Sequence, residues 1–260
     1  MTWIKQRRLE ESGMAGVVPD GSVATAAESI RALYSELALH PRQEFGWGKG
    51  RENARRLGYD KRWLDTIPEP VWESAAAVGN PFGLGRIEPG MTVVDLGCGA
   101  GADLCIAALL VGAHGRAIGI DLTPAMTAKA QASARLMGLS NVAVHSGDMT
   151  AVPLEDGDAD RVISNGAINL SPAKSCVFRE VFRILKPGGC FWFADMVRES
   201  ATAPAPGGGS WADCVAGTVA PERILEMLAA AGFRDGELVA FTGYKTAPTT
   251  TGATFRARKP

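Results

Sequence analysis

The sequence predicts an α/β fold, a doubly wound and mostly parallel sheet carrying an N-terminal helical cap. Three observations predict it. From residue 91 onward, short apolar runs alternate with helical patterns, which implies right-handed crossovers between parallel strands. Those runs end at glycine or aspartate, the residues used by ligand-binding loops at the carboxyl edge of such a sheet. The residues before them are helical in pattern but interrupted by Gly58, Pro68 and Pro70, so they read as short helices and not as strands.

The elements follow in order. Residues 1–21 are polar, with Gly and Pro, and predict no regular element. From Ser22 to Leu39, the residues Val23, Ala26, Ala27, Ile30, Leu33, Tyr34 and Leu37 recur at i, i+3, i+4 spacing and predict a helix. A loop over residues 40–50 leads to short helices at 51–57, 61–66 and 70–76; residues 1–85 together form the cap. Residues 86–260 form the main domain, with strands expected at 93–96, 117–120, 141–144, 161–164 and 190–194. Helices are expected between them at 102–111, 124–137 and 172–185. Thr123 is the candidate cap of the second, and Lys186-Pro187-Gly188-Gly189 stops the third. A mobile loop at 200–215, rich in Ala, Pro and Gly, precedes a helix at 221–231 and two late strands at 238–243 and 253–258.

Composition narrows the function classes. With 27 basic and 28 acidic residues, a net charge of −1 and 46% hydrophobic residues, the chain carries neither a nucleic-acid footprint nor a disordered tail. No apolar run is long enough to cross a bilayer, and the basic start at Lys5, Arg7 and Arg8 has no apolar run behind it to make a secretory signal. Five cysteines without paired spacing read as reduced cytoplasmic thiols. Three scattered histidines (His40, His114, His145) predict no metal cluster. The expected partner is a small molecule, with no nucleic acid and no membrane.

The chemistry begins at Asp95-Leu96-Gly97-Cys98-Gly99-Ala100-Gly101, a glycine turn between strand and helix. Such a turn lets backbone approach a ligand closely. Alone it is a weak signal, because Gly97-x-Gly99-x-x-Ala102 also fits the loose dinucleotide fingerprint. Three acids change the balance. Asp121 ends the next strand, where a carboxylate accepts from both hydroxyls of a ribose. Gly147-Asp148-Met149 ends the third strand and offers an acceptor to an exocyclic adenine amine. Asp95 stands at the turn's entrance, where it suits an ammonium and repels a pyrophosphate. A ligand with an amino-acid end, a ribose and an adenine satisfies all three.

In order, Asp95 to Gly101, Asp121, Gly147-Asp148 and Leu185 to Gly189 resemble the motifs of class I S-adenosylmethionine (SAM)-dependent methyltransferases, a Rossmann-like fold. A narrower resemblance, over residues 30–235, is to the arsenite methyltransferases. It rests on Gly79-Asn80-Pro81, Gly119 to Pro124 with Met126, Ser164-Asn165, Ile168 to Pro172, Phe178-Arg179-Glu180 and Cys214 to Gly217. The resemblance implies SAM as cofactor, S-adenosylhomocysteine as product, and a SAM site lined by Asp95, Gly97, Cys98, Gly99, Asp121, Leu122, Met126, Gly147, Asp148, Met149 and Asn165. That family holds trivalent arsenic with cysteine thiolates. At the positions implied for them, this chain has Val78, Gly166 and Cys214, with Trp47 in the region of an N-terminal cysteine pair. A small organic acceptor is therefore the leading reading, and a metalloid acceptor with a reduced thiol set is the alternative.

Methyl transfer is an in-line displacement in which alignment and exclusion of water matter most. Trp47, Asn80, Gly166, Asn169, Trp211 and Cys214 are the acceptor-site candidates. Trp72 joins Trp47 and Trp211 as a possible apolar or cation-binding wall. His40 is the general-base candidate, because its ordinary pKa lies near neutrality, against the alternative of a surface histidine at a helix end. Tyr34 is a candidate for positioning the sulfonium or the acceptor. Asn165 and Asn169 sit just past a buried strand, where an unsatisfied amide would be costly unless it bound something.

Overall fold

Val93 and Val94 face opposite ways from one strand, and that alternation builds two cores, one on each side of the sheet. The computed structural model describes residues 20–199 and 217–260. Its strands are β1 (Thr92–Leu96), β2 (Arg116–Asp121), β3 (Val142–Ser146), β4 (Ala159–Asn165), β5 (Leu185–Arg198), β6 (Arg234–Phe241) and β7 (Thr250–Arg258). They form a seven-stranded sheet in the order β3-β2-β1-β4-β5-β7-β6. Strands β1 to β5 pair parallel, whereas β7 runs antiparallel to both β5 and β6.

The helices are α1 (Asp20–Leu39), α2 (Gly50–Arg56), α3 (Lys61–Thr66), α4 (Glu69–Trp72), α5 (Ala102–Val111), α6 (Pro124–Leu136), α7 (Lys174–Ile184) and α8 (Pro221–Ala230). Pro at the first turn of α6 and α8 suits the start of a helix, where its missing N–H has no partner to lose. One core joins Val94, Leu96, Val162, Phe191, Phe193 and Phe255 to α7 and α8; the other joins Val93, Ile163 and Trp192 to α5. Phe193 and Phe255 are cross-strand partners in the β5–β7 register, and their rings stack with centroids 5.0 Å apart.

The N-terminal helices share this architecture. Tyr59, Leu64, Ile67, Val71 and Trp72 pack with Ala102, Cys105 and Ile106 of α5. The end of α1 is tied down at its carbonyls, where cations and donors suit the helix dipole. Lys129 Nζ donates to Ala38 O at 3.2 Å, and Ser74 Oγ donates to Leu37 O at 3.1 Å.

Several boundaries shift, among them the sixth strand, expected at 238–243 and found at Arg234–Phe241. The third strand starts one residue later and runs to Ser146, and the helix expected over 70–76 is the four-residue α4, ending at Trp72. The fifth strand begins at Leu185, before Pro187-Gly188-Gly189, with a break in its register against β4 between Ala159 and Arg161. The loop expected at 200–215, with Trp211 and Cys214, lies outside the described residues.

Candidate functional site

The carboxyl ends of β1, β2 and β4 open into a cleft of roughly 1240 Å³, part of it open to solvent. Asp95, the fourth residue of β1, lines it although only 2% of the residue is exposed. Its Oδ2 has no hydrogen-bond partner. Burial, then the charges of Asp103 and Asp121, hold its carboxyl well above the usual carboxylate range. A buried acceptor left without a donor marks a place where a ligand brings one.

The glycine turn follows directly. Gly99 has φ +51°, and a β-carbon built on it would meet nothing within 4 Å, so the turn presents bare backbone to the cleft. Asp121 grips that turn from β2: its Oδ2 accepts from Gly99 N at 2.9 Å and its Oδ1 from Thr123 N at 2.8 Å. The Thr123 hydroxyl also bonds this carboxylate, and the lone-pair capacity that remains can accept from a ligand hydroxyl. Asp148 is exposed at the cleft's rim, its Oδ1 accepting from Thr150 N and Thr150 Oγ1 at 2.8 and 2.7 Å. Cys98, Leu122, Met126, Gly147 and Met149 complete this side. Burial pushes the Cys98 thiol well up, so it stays protonated.

Two residues not singled out in the sequence join the site. Asp103, in the first turn of α5, is 9% exposed and lines the cleft. Its Oδ1 accepts from Tyr59 Oη at 2.8 Å and its Oδ2 from Asn165 Nδ2 at 3.0 Å. Burial pushes Asp103 up to about 6. Tyr59 is the second, and Trp72, expected from the sequence as a wall, lines the cleft as well, 1% exposed, with an indole N–H that has no partner. An acid one turn past the glycine loop was the signal for Asp103; for Tyr59, the chain offers only an aromatic beside Gly58.

The acceptor-site candidates divide. Tyr34 and Gly166 line the cleft, with Ala27, Ile30, Ala76 and Leu170 around them. Asn165 lines it too, but its amide is taken by the protein. Its Nδ2 donates to Tyr59 Oη, Gly79 O and Asp103 Oδ2 at 2.9, 2.9 and 3.0 Å. Its Oδ1 accepts from Val78 N at 3.0 Å and Gly79 N at 3.4 Å. The expectation that this amide needs a ligand is thereby corrected: it is a strut between cap and sheet. Asn169 is buried beside Asp195, whose Oδ2 accepts from its backbone N–H at 2.8 Å, and it does not line the cleft. Asn80 caps a 3₁₀ turn, accepting from Phe82 N at 3.0 Å and donating to Gly58 O at 2.9 Å. Trp47 packs on Phe45 away from the cleft, centroids 5.4 Å apart. His40 is not brought to the cleft either. Its side chain is 62% exposed, 4.0 Å from Glu36, because the end of α1 faces solvent there.

This strand order, with one reversed strand, and a cleft built on a glycine turn opposed by acids, define a doubly wound α/β domain that binds its ligand at the carboxyl edge. Residues 87–232 match the family model described as "Methyltransferase domain", and the chain belongs to that family. The chain is 36% identical over 190 residues to the arsenite methyltransferase of Halobacterium salinarum, covering 71% of this chain and 48% of that protein. It is 38% identical over 152 residues to the arsenite methyltransferase of Aquipseudomonas alcaligenes, covering 54% and 43%. The chain thus spans less than half the length of these relatives. Among solved structures, it is similar to an arsenic(III) S-adenosylmethionine methyltransferase from Chlamydomonas reinhardtii, with TM-score 0.56, 25% identity, and coverage of 81% of this chain and 73% of that one. The [4+2]-cyclase SpnF shares the fold at TM-score 0.66 and 21% identity, covering 90% and 97%.

Proposed function

We propose that this chain transfers the methyl group of SAM to a small organic acceptor. The observation that carries the proposal is the unpartnered Oδ2 of the buried Asp95. It stands in a cleft whose described lining holds four aspartates, Asp95, Asp103, Asp121 and Asp148, and no lysine, arginine or histidine. Such a cleft favours a cationic guest and disfavours a pyrophosphate. The residues present therefore fit SAM, which carries an ammonium and a sulfonium. Asp95 would take the ammonium, Asp121 the ribose hydroxyls and Asp148 the adenine amine.

SAM supplies an electrophilic methyl group: a lone pair of the acceptor forms the new bond to carbon while the carbon–sulfur pair returns to sulfur, leaving a neutral thioether. The chain's own part is to orient the donor and exclude water. Tyr34, Ile30, Ala76 and Leu170 give the acceptor side an apolar wall. We place the enzyme in the cytoplasm, on cysteines without paired spacing in the sequence, four of which are free among the described residues; among those residues no helix is long and apolar enough to cross a membrane.

The likeness to arsenite methyltransferases supports a second reading, in which a metalloid is the acceptor. Against it stands soft-ligand chemistry: trivalent arsenic needs thiolates, and Cys98 is the one thiol among the described cleft residues. Incubation with methyl-tritiated SAM separates the readings. Label entering organic metabolites and not arsenite supports the first; efficient arsenite methylation overturns it.

A further inference from the structure

We infer that Asp103 is a second carboxylate for the ammonium group of the methyl donor, paired with Asp95, and that Tyr59 and Asn165 are the positioning residues that aim it. The inference rests on the SAM reading above and extends it to residues outside the glycine turn and the strand ends.

The geometry supports it in three ways. Asp95 and Asp103 both line the cleft and are both almost wholly buried, and Asp95 Oδ2 has no donor from the protein. Two buried carboxylates so placed avoid the cost of like, desolvated charges by holding a proton, in line with their raised titration, and a cation beside them is what lets both ionise. The described lining of the cleft has no lysine, arginine or histidine to serve, and the partners of Asp103 are the phenol of Tyr59 and the amide of Asn165, which orient its oxygens without neutralising them. Each Asp103 oxygen has accepted one hydrogen bond from those side chains and retains capacity for another. Finally, an ammonium carries three donors, more than Asp95 Oδ2 can use alone.

The arrangement also links donor to cap. Asn165 holds Asp103 through its Nδ2 and the backbone of Val78 and Gly79 through its Oδ1. Tyr59 comes from the turn between α2 and α3. A donor seated on Asp95 and Asp103 therefore bears on the segment that closes over Gly166, where a β-carbon would stand 3.3 Å from Val78 Cγ1.

The test compares two ligands by calorimetric titration of the full chain. S-adenosylhomocysteine has the amino-acid tail; 5′-methylthioadenosine has the same nucleoside and thioether without it. Asp103→Asn is expected to weaken S-adenosylhomocysteine about 10- to 100-fold, the range for a lost hydrogen bond to a charged group, and to leave methylthioadenosine within about twofold. Equal loss of both ligands would show a merely structural role, and loss of neither would show no role; either overturns the inference. Should Asp103→Asn fail to fold, Tyr59→Phe decides. It is expected to weaken S-adenosylhomocysteine about threefold with methylthioadenosine unchanged, and an unchanged S-adenosylhomocysteine affinity would overturn the inference. Wild-type chain that binds neither ligand would instead overturn the SAM reading itself.

Discussion

Val78 packs directly behind Gly166 of the cleft wall: a β-carbon on Gly166 would lie 3.3 Å from Val78 Cγ1 and 3.5 Å from Ala76 O. These are two positions at which the resemblance to arsenite methyltransferases implies thiolates, and here they form a neutral, apolar contact. The departures thus fall on one spot in space although they are far apart in the chain.

Gly166→Ala tests that spot. Gly166 has φ +70°, which disfavours any β-carbon, and the contact with Val78 is already tight. The variant is expected to lose about 1–2 kcal/mol of stability in urea denaturation and to raise the acceptor's KM while leaving S-adenosylhomocysteine affinity within about twofold.

Asn165→Ala is expected to be costlier. It leaves Val78 N and Asp103 Oδ2 without this partner in a buried setting, and an orphaned buried group costs about 1–3 kcal/mol. A loss of about 3 kcal/mol or more in denaturation is expected. A loss under about 0.5 kcal/mol would contradict the strut reading.

Donor affinity is expected to depend on pH through Asp103. Burial raises its carboxyl to about 6, beside the raised Asp95 and Tyr59. The ionised form attracts the ammonium, so protonation below about pH 6 competes with binding. The sign is therefore weaker S-adenosylhomocysteine binding as pH falls from 7.5 to 5, by up to about tenfold per pH unit below the pKa, with methylthioadenosine nearly flat. The linked effect on the ligand-free protein has the opposite sense. A carboxyl raised on folding holds its proton longer in the native state, so its stabilising contribution is full below about pH 4 and lost as pH rises through about 6.

His40→Ala is expected to leave kcat within about twofold, because the side chain is exposed outside the cleft. A fall of a hundredfold or more would restore it as a general base.

Much of this was legible because its signals are local. Glycines after an apolar run, an acid at the end of the next run and Gly147-Asp148 after the third each stand directly at the end of their own run, and all line one cleft. The parts that were not legible depend on distant pairing. Tyr59 and Asp103 are 44 positions apart, and Asn165 meets Gly79 across 86; neither spacing has a sequence signature. Asn165 shows the cost of reasoning from one segment: its amide did need partners, and the N-terminal residues Tyr59, Val78 and Gly79 together with Asp103 of α5 supplied them. His40 failed for a different reason, since residue type says what a side chain can do and not which way a helix end points.

The central claim is that the acidic cleft was built for a cationic nucleoside donor. It is tested most directly by titrating the wild-type chain and Asp95→Asn with S-adenosylhomocysteine and with NAD. Saturable binding of S-adenosylhomocysteine is expected, weakened about tenfold or more in Asp95→Asn, with no binding of NAD. Binding of NAD, or S-adenosylhomocysteine affinity indifferent to the loss of the Asp95 charge, would contradict it.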